Sequence, residues 1–519
     1  MAGAVLGVAA LAYSPVVGFA WDDGVYVASG QALARGDGYV LANRVGYQTV
    51  PSFAPGYPLL ASVVWLVLGS ARATLLALSA LGASCAAAAA YLWWRIARRE
   101  HGPAVGALLV GIPALSYASL RVATLRMSDA PYALIVVAAT TLWGAEDSSR
   151  LLSTRRLLAL VAIAAAAAPL RSAGAVLPVA VFLLLLARRR WAWAAGLACA
   201  AIAVQLAIGA LLRQPQPSYA ELTRAAWADG GAWWPVFAAT WGGHVWEALG
   251  SLVAPPLLYS GAVHELMTSL GAVRVAYVVA LVAIGGAVLC GGWLRLREGL
   301  WHPGDLALLG ALALPFVAPL GMDPRFLVPY GPVVALWAFA ALRRGADLMS
   351  PRPGRLLRRA TLALLTLMLA GTAAQAVRFV RGAPPAAAAR AAAYLRAAGA
   401  ARTWLGRGGL VVAEFPETLW LMGGERAIST TSPLENVLVP DAAVDEVRHR
   451  VGAVAHGCLL DTRTFPTSRI VFEEMAARPG AVTLPAADAL LVRVVCWRGA
   501  GTPDATPTPP RLAAPLRGE

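Results

Sequence analysis

Residues 3–26 read GAVLGVAALAYSPVVGFAWDDGVY. Eighteen residues, Gly3 to Ala20, carry no charge, and two carboxylates, Asp22 and Asp23, follow at once. A hydrocarbon core about 30 Å thick takes roughly 20 helical residues at about 1.5 Å each, so the run has spanning length and the acids mark its exit. Ten further runs of this kind follow, approximately at 73–94, 103–120, 129–145, 155–170, 173–187, 191–212, 273–293, 304–321, 326–342 and 360–378. The pair meeting at Pro169, Leu170 and Arg171 is short enough to read also as a hairpin that does not fully cross. Both members would then be lost together and the topology kept.

Composition agrees. The chain of 519 residues is 59% apolar and 14% charged, with a mean hydropathy of +0.63. Soluble domains run about 45–50% apolar and about 25% charged, so the surplus must meet lipid. An ordinary soluble enzyme is excluded. The formal charge of +15 would suit nucleic acid, but all 43 basic residues are Arg and they gather in short loops between apolar runs. That pattern reports membrane orientation.

One set of alternate loops holds Arg95, Arg98 and Arg99, then Arg150, Arg155 and Arg156, then Arg188, Arg189 and Arg190, then Arg295 and Arg297, then Arg343 to Arg359. Cytoplasmic loops are Arg-rich, which puts this set inside. The loop 21–72, the stretch 213–272, the segment around Asp323 and everything after residue 378 then lie outside. The Ala10-Leu11-Ala12 stretch allows a cleaved signal peptide, but no charged n-region precedes it.

The sequence divides into a transmembrane domain over 1–380, an ordinary-composition module over 384–498, and a Pro-rich tail over 499–519 expected to be disordered. In the module, Val444, Val447, Val451 and Val454 recur at three and four residues as on an amphipathic helix, while LVVA at 410–413 and LLVRVV at 490–495 read as buried strands. The fold class expected is an all-α polytopic membrane protein of about 11 spans with a C-terminal extracytoplasmic α/β domain.

Loop 213–272 carries Trp227, Trp233, Trp234, Trp241 and Trp246, five of the 18 Trp. Indoles favour the headgroup layer, so these residues read either as an anchoring belt or as a wall for a lipid or sugar. His244 and Glu247 stand three apart, a metal-binding spacing without a third ligand nearby. His101 and His302 fall in the Arg-rich loops and His449 and His456 in the module, none with an evident partner. Cys85, Cys199 and Cys290 lie within spans as small apolar fillers. Cys458 and Cys496 lie in the outer module, where a disulfide is permitted but sequence separation does not fix its geometry.

The acids anchor a larger pattern. WDDGVYVASGQALARGDGY leads to PSFAPGYPLL, SDAPY opens the fourth span, and DPRFLVPYGP opens the tenth. In this order, these stretches resemble the GT-C superfamily of membrane glycosyltransferases, especially the branch with protein O-mannosyltransferases and aminoarabinose transferases. Asp22, Asp23 and Tyr26 match that family's acid pair and following Tyr. Phe53-Ala54-Pro55-Gly56-Tyr57-Pro58 is similar to its "yPPly" element with Gly for one Pro. Ser128-Asp129-Ala130-Pro131-Tyr132 is similar to its "SEPly" element with Asp for Glu and an inserted Ala. Arg171-Ser172-Ala173-Gly174 and Arg325-Phe326-Leu327-Val328-Pro329 look like its "tR..gl" and "RYllP" elements.

The resemblance implies inverting transfer of a sugar from a polyprenyl-phosphate donor to a hydroxyl of an envelope acceptor, which is a glycolipid, a polysaccharide or a protein. Asp22 would be the general base, since a hydroxyl attacks poorly until its proton is removed. Arg325, and second to it Arg171, would bind the donor phosphate, where a fixed guanidinium stabilises developing charge. For Arg171 a snorkelling arginine that ends a span is the equal alternative. Asp23, Asp129 and Tyr26 would orient acceptor or base, and Tyr57, Trp233 and Trp234 would form the lipid or sugar wall. No cofactor or metal is expected; a divalent cation on the acids is the less favoured option, because hard cations need several oxygen ligands. The setting implied is a bacterial plasma membrane. The rival readings are a transporter or lipid flippase, which would place ionisable groups near the midplane, and a non-catalytic envelope-assembly protein.

Overall fold

A computed structural model describes residues 1–18, 22–41, 43, 48–49, 53–144, 153–212, 271–317, 324–406, 409–424, 426–430, 440–464, 466–484 and 492–498. Tail 499–519 and loop 213–270, with Trp233, Trp234, His244 and Glu247, lie outside the described residues, as does Asp323.

The first apolar run forms a helix only to its middle. Helix α1 spans Ala2–Leu11, after which the chain runs without helix to Gly18. Pro15 disfavours helical backbone at Ser14, so the predicted span 3–20 breaks there. Backbone carbonyls released inside a membrane protein need new donors. Those of Ser14 and Val16 accept from the Arg126 guanidinium, and that of Val17 accepts from the Thr418 hydroxyl at 2.8 Å. The chain then enters α2 (Asp22–Arg35), passes through a short antiparallel pair, β1 (Val40–Leu41) and β2 (Gln48–Thr49), and continues in α3 (Gly56–Leu68).

The long α4 (Ala71–His101) follows, capped by Ser70, whose hydroxyl accepts from Ala73 N–H at 3.3 Å. The run 103–120 is split: α5 (Pro103–Ala114) and α6 (Tyr117–Thr124) meet at a 65° bend, and Ser116 caps the second piece. Next come α7 (Asp129–Gly144), α8 (Thr154–Leu170), a 3-10 turn at Ser172–Ala175, α9 (Val176–Ala187) and α10 (Trp191–Leu212). After residue 270 come α11 (Gly271–Arg297), α12 (Pro303–Val317), a 3-10 segment at Pro324–Tyr330 and α13 (Gly331–Leu348).

Among the described residues, four helical stretches are long and apolar enough to cross a bilayer alone: Ala71–His101, Trp191–Ala210, Arg325–Leu348 and Pro351–Leu405. The bent α5–α6 pair makes a fifth if counted as one, and the shorter apolar helices pack among them. Length alone therefore does not reach eleven crossings. Leu206 and Leu367 stay exposed on long helices, as lipid-facing side chains do.

Helix α14 (Pro351–Leu405) crosses the position expected as the start of the module, residue 384. It runs unbroken from membrane span into module, with Pro384 and Pro385 inside it. Its C-terminal part buries Tyr394, Ala397, Ala401 and Trp404 on one face of a five-stranded sheet, order β4-β3-β5-β7-β6. The strands are β3 (Leu410–Ala413), β4 (Ile428–Ser429), β5 (His456–Asp461), β6 (Val482–Leu484) and β7 (Arg493–Arg498), with β3 parallel to β4 and β5, and β7 antiparallel to β5 and β6. Strand alternation sends Val411 and Ala413 towards α14 and Val412 to the other face. There Val412 meets α16 (Pro440–Gly452) through Val447 and Val451, and α17 (Pro466–Ala476) through Phe472 and Met475. Between β3 and β4 lies α15 (Pro416–Gly423).

Cys458 and Cys496 are directly opposed on β5 and β7 and form a disulfide; Cys85, Cys199 and Cys290 are free. Alkylation of the denatured, unreduced chain should therefore label three thiols, and reduction should raise this to five. Five labelled before reduction would show the bridge absent.

Candidate active site

The site forms at one end of the bundle, where four backbone segments bring charged side chains together. Asp22 and Asp23 open α2, Asp129 opens α7, Arg171 sits in the break between α8 and the 3-10 turn, and Arg325 lies on the 3-10 segment before α13. Carboxylates in a first helical turn face unpaired N–H groups and the positive end of the helix dipole, so α2 and α7 favour acids where they carry them.

Asp22 and Arg325 form an ion pair at 2.6 Å, with the Asp22 side chain 10% and the Arg325 side chain 26% exposed. Asp129 and Arg171 form a second pair, more deeply enclosed. The Phe326 ring lies between the two guanidiniums, 5.0 Å from that of Arg171 and 5.4 Å from that of Arg325. Arg171 also lies over Tyr132, whose hydroxyl bonds that of Tyr330 at 2.7 Å and so ties α7 to the 3-10 segment. Arg171 thus turns inward to a carboxylate and does not snorkel to the span end.

Asp23 faces the other way. Its Oδ1 accepts from Gly18 N–H at 3.0 Å, and the Arg126 guanidinium supplies its nearest compensating charge. Arg126 is among the largest fully buried side chains and lies over the Tyr13 ring at 5.7 Å. It is a site residue the motif reading passed over, one position before Met127-Ser128-Asp129. The available signal was its location: an arginine at the end of the bundle where the other arginines are sparse. Burial pushes Asp22 above the ordinary carboxylate value, with Arg325 pulling it back and Asp129 pushing it further up. Burial likewise raises Asp23 against the opposing pull of Arg126.

Tyr26 joins the acids to the core. Its hydroxyl is 3.2 Å from that of Ser128, and its ring meets Phe53 and Tyr57 edge-on, each at 5.2 Å. Tyr57 is fully buried one layer behind Tyr26, so its place is support and not an open wall. Gly56 explains the departure from the Pro-rich element. A Cβ there would lie 2.7 Å from the Pro169 carbonyl oxygen, so only glycine lets α3 approach the end of α8. Among the described residues, no three His, Cys, Asp or Glu side chains gather as a metal cluster.

The C-terminal module packs against the segment that carries Asp22 and Asp23. Glu417 and Thr418 on α15 are fully buried against the segment that delivers the acids. Besides the Thr418 bond to Val17, Asn43 Nδ2 donates to Glu417 Oε1 at 3.3 Å, and Trp420 Nε1 donates to Gln31 Oε1 at 2.6 Å. Gly24 gives α15 its room: a Cβ there would stand 2.6 Å from Glu417 Cβ. None of these module residues was apparent from sequence.

The opposite end carries a second polar cluster. Arg295 pairs with Glu100 at 2.7 Å and with Asp305 at 3.6 Å, and Asp305 Oδ1 accepts from Trp337 Nε1 at 2.6 Å. His101 and His302, which showed no partner in sequence, both stand near Glu100, at 3.6 and 3.9 Å.

No family model matches the chain, and no curated protein does. Among solved structures the chain is similar to ArnT from Cupriavidus metallidurans bound to undecaprenyl phosphate, at 14% identity over 95% of this chain and 96% of that one, with a TM-score of 0.50. The apo state of the same protein gives 14% identity over the same shares and a TM-score of 0.49. The archaeal oligosaccharyltransferase AglB from Archaeoglobus fulgidus, in complex with an inhibitory peptide and a dolichol-phosphate, gives 12% identity over 93% of this chain and 73% of that one, with a TM-score of 0.48. The likeness to ArnT is one of fold, and the GT-C resemblance carried by the motifs holds at that level.

Because Asp129 and Arg171 are both enclosed, removing one partner strands the other. Arg171→Leu should cost about 3–5 kcal/mol of stability, and adding Asp129→Asn should recover most of it. Thermal unfolding in detergent measures both, and equal melting temperatures for wild type and Arg171→Leu would show that the pair is not held.

Proposed function

We propose that this chain is an inverting glycosyltransferase that moves a sugar from a polyprenyl-phosphate donor to a hydroxyl of an envelope acceptor, at the extracytoplasmic face of a bacterial plasma membrane. The observation that carries this reading is the Asp22–Arg325 pair, a carboxylate and a partly exposed guanidinium in contact at the membrane end of a bundle with the ArnT fold. ArnT is bound to undecaprenyl phosphate in its structure, which favours a lipid-linked donor here. Sidedness follows from the arginine-rich loops, which lie at the other end. Sugar nucleotides are cytoplasmic, so a donor that carries its sugar on a lipid fits that placement.

The residues divide the chemistry. Asp22 takes the proton of the acceptor hydroxyl as its oxygen attacks the anomeric carbon. The bond from that carbon to the phosphate oxygen breaks on the opposite face, which inverts the centre. Charge grows on the leaving phosphate, and Arg325 is the guanidinium placed to receive it. Since Arg325 rests on Asp22, a donor phosphate that draws it away also removes the cation that holds the carboxylate ionised, and the base strengthens as the donor arrives. Arg171 acts through its field and through Phe326, because its own hydrogen bonds go to Asp129. Asp23, anchored by Gly18 N–H and Arg126, fixes the start of α2 and so the position of Asp22. The acceptor class, whether glycolipid, polysaccharide or protein, would be selected where α15 of the module meets α2.

The test supplies labelled polyprenyl-phosphate sugar to the protein in nanodiscs. Asp22→Asn should abolish transfer while keeping the fold, and Arg325→Ala should lose about 3 kcal/mol or more of transition-state stabilisation. Equal transfer by wild type and Asp22→Asn removes Asp22 from the mechanism, and lipid movement without transfer favours a flippase.

The pH dependence has a defined sign. The base works deprotonated and burial raises Asp22, so kcat/KM should fall with falling pH along a limb above the ordinary carboxylate value of about 3.9. A profile flat down to pH about 4 would contradict the assignment.

A further inference from the structure

At the arginine-rich end, remote from Asp22, a cavity of about 300 Å³ opens between α4, α5, α13 and α14. That it lies at the other end follows from α7, which begins at Asp129 in the site and ends at Gly144, where an added Cβ would stand 3.3 Å from His302. The polar lining is cationic in balance: the imidazole of His101 and the guanidiniums of Arg343 and Arg358 against the single carboxylate of Asp347. Asp347 is already paired with Arg358, while Arg343 makes no ion pair with a carboxylate among the described residues. His101 is the sharper observation. Its side chain is 8% exposed, it lines the cavity, and neither ring nitrogen makes a hydrogen bond among the described residues. Its nearest carboxylate oxygen, on Glu100, stays at 3.6 Å, and Phe339 holds the ring edge-on at 5.0 Å. A buried imidazole without a partner costs free energy, and an acceptor bound in the cavity would supply what the protein does not.

Apart from Thr361, whose hydroxyl donates to the Leu357 carbonyl at 2.9 Å, the remaining walls are apolar. Val105 and Phe339 line the interior, and Leu342 and Leu362 are exposed large hydrophobics at the bundle surface, where acyl chains lie. A cradle for a free anion would be polar on all sides. Cationic at one end and apolar where it meets lipid, this cavity has the character of basic interhelical pockets that take anionic headgroups from the cytoplasmic leaflet. We infer that the cavity is a binding site for an anionic phospholipid, with the headgroup phosphate between His101 and Arg343 and the acyl chains over Leu342 and Leu362. Such a lipid would clasp α4 and α5 to α13 and α14. Since α14 continues into the C-terminal module, it would also steady the helix on which that module is mounted. The inference is independent of the transfer chemistry.

Native mass spectrometry of the full chain in delipidating detergent tests it, with phosphatidylglycerol, phosphatidylcholine or inorganic phosphate added. Wild type should retain one phosphatidylglycerol in preference to phosphatidylcholine. Arg343→Glu and His101→Phe should each weaken that adduct by roughly tenfold or more. Arg343 is exposed, so its replacement should leave folding intact, checked by gel filtration and circular dichroism; Arg343→Leu serves if the glutamate does not fold. Unchanged phosphatidylglycerol binding in the Arg343 and His101 variants, equal retention of phosphatidylcholine, or displacement by inorganic phosphate overturns the inference.

Discussion

Everything at the candidate active site depends on keeping three carboxylates ionisable where water is scarce. An isolated charge moved out of water costs several kcal/mol even after relaxation, so each acid needs an arginine at close range. The structure sets two in contact, Arg325 on Asp22 and Arg171 on Asp129, while Asp23 takes the field of Arg126 and the Gly18 N–H. The partners arrive from different backbone segments, so charge compensation is also what aligns α2, α7, the end of α8 and the 3-10 segment before α13. Neutrality and geometry are one requirement here.

The same requirement accounts for the irregular backbone at this end. A continuous first helix would satisfy its own carbonyls and leave Arg126 and Thr418 nothing to hold. Breaking it at Pro15 frees the carbonyls of Ser14, Val16 and Val17. Two of these bind the arginine that compensates Asp23, and the third binds the module. The module therefore packs on the segment that carries the acids. Trp420 on Gln31 and Glu417 against Gly24 hold one face of α2, as Tyr26 on Ser128 holds another.

How much of this was legible follows from which residues act locally. Asp22, Asp129 and Arg325 announced themselves because a charge at the edge of an apolar run is costly and therefore placed. The strand at 410–413 was readable from its apolar run and the helix over 444–454 from its valine spacing. Arg126 was not, because its partners exist only once the chain leaves helix at Pro15. Arg171 had two readings in sequence, and only the approach of α7 to the end of α8 shows its carboxylate. Glu417 and Thr418 lie some 390 residues from the segment they hold, and no local pattern marks such a contact. Gly56 looked like a lapse from a Pro-rich element. Packing against Pro169 shows it to be the residue that distance allows.

The two polar ends of the bundle differ in a way that separates scaffold from chemistry. At the arginine-rich end, Arg295 is enclosed between Glu100 and Asp305, and Asp305 is further held by Trp337, so every charge in that network is spoken for by protein. Exchanging a partner there would strand a buried charge. At the other end, Arg171 is enclosed against Asp129 and Arg126 against backbone carbonyls, but Arg325 keeps about a quarter of its side chain open while touching the most exposed of the site's acids. It is the cation in that group that can leave its carboxylate for an incoming anion without a large desolvation penalty, because part of its hydration was never lost. A site built only for stability would have closed that pair as it closed the others. Leaving this pair open beside the closed Asp129–Arg171 pair gives the proposed transfer a movable charge on a fixed frame.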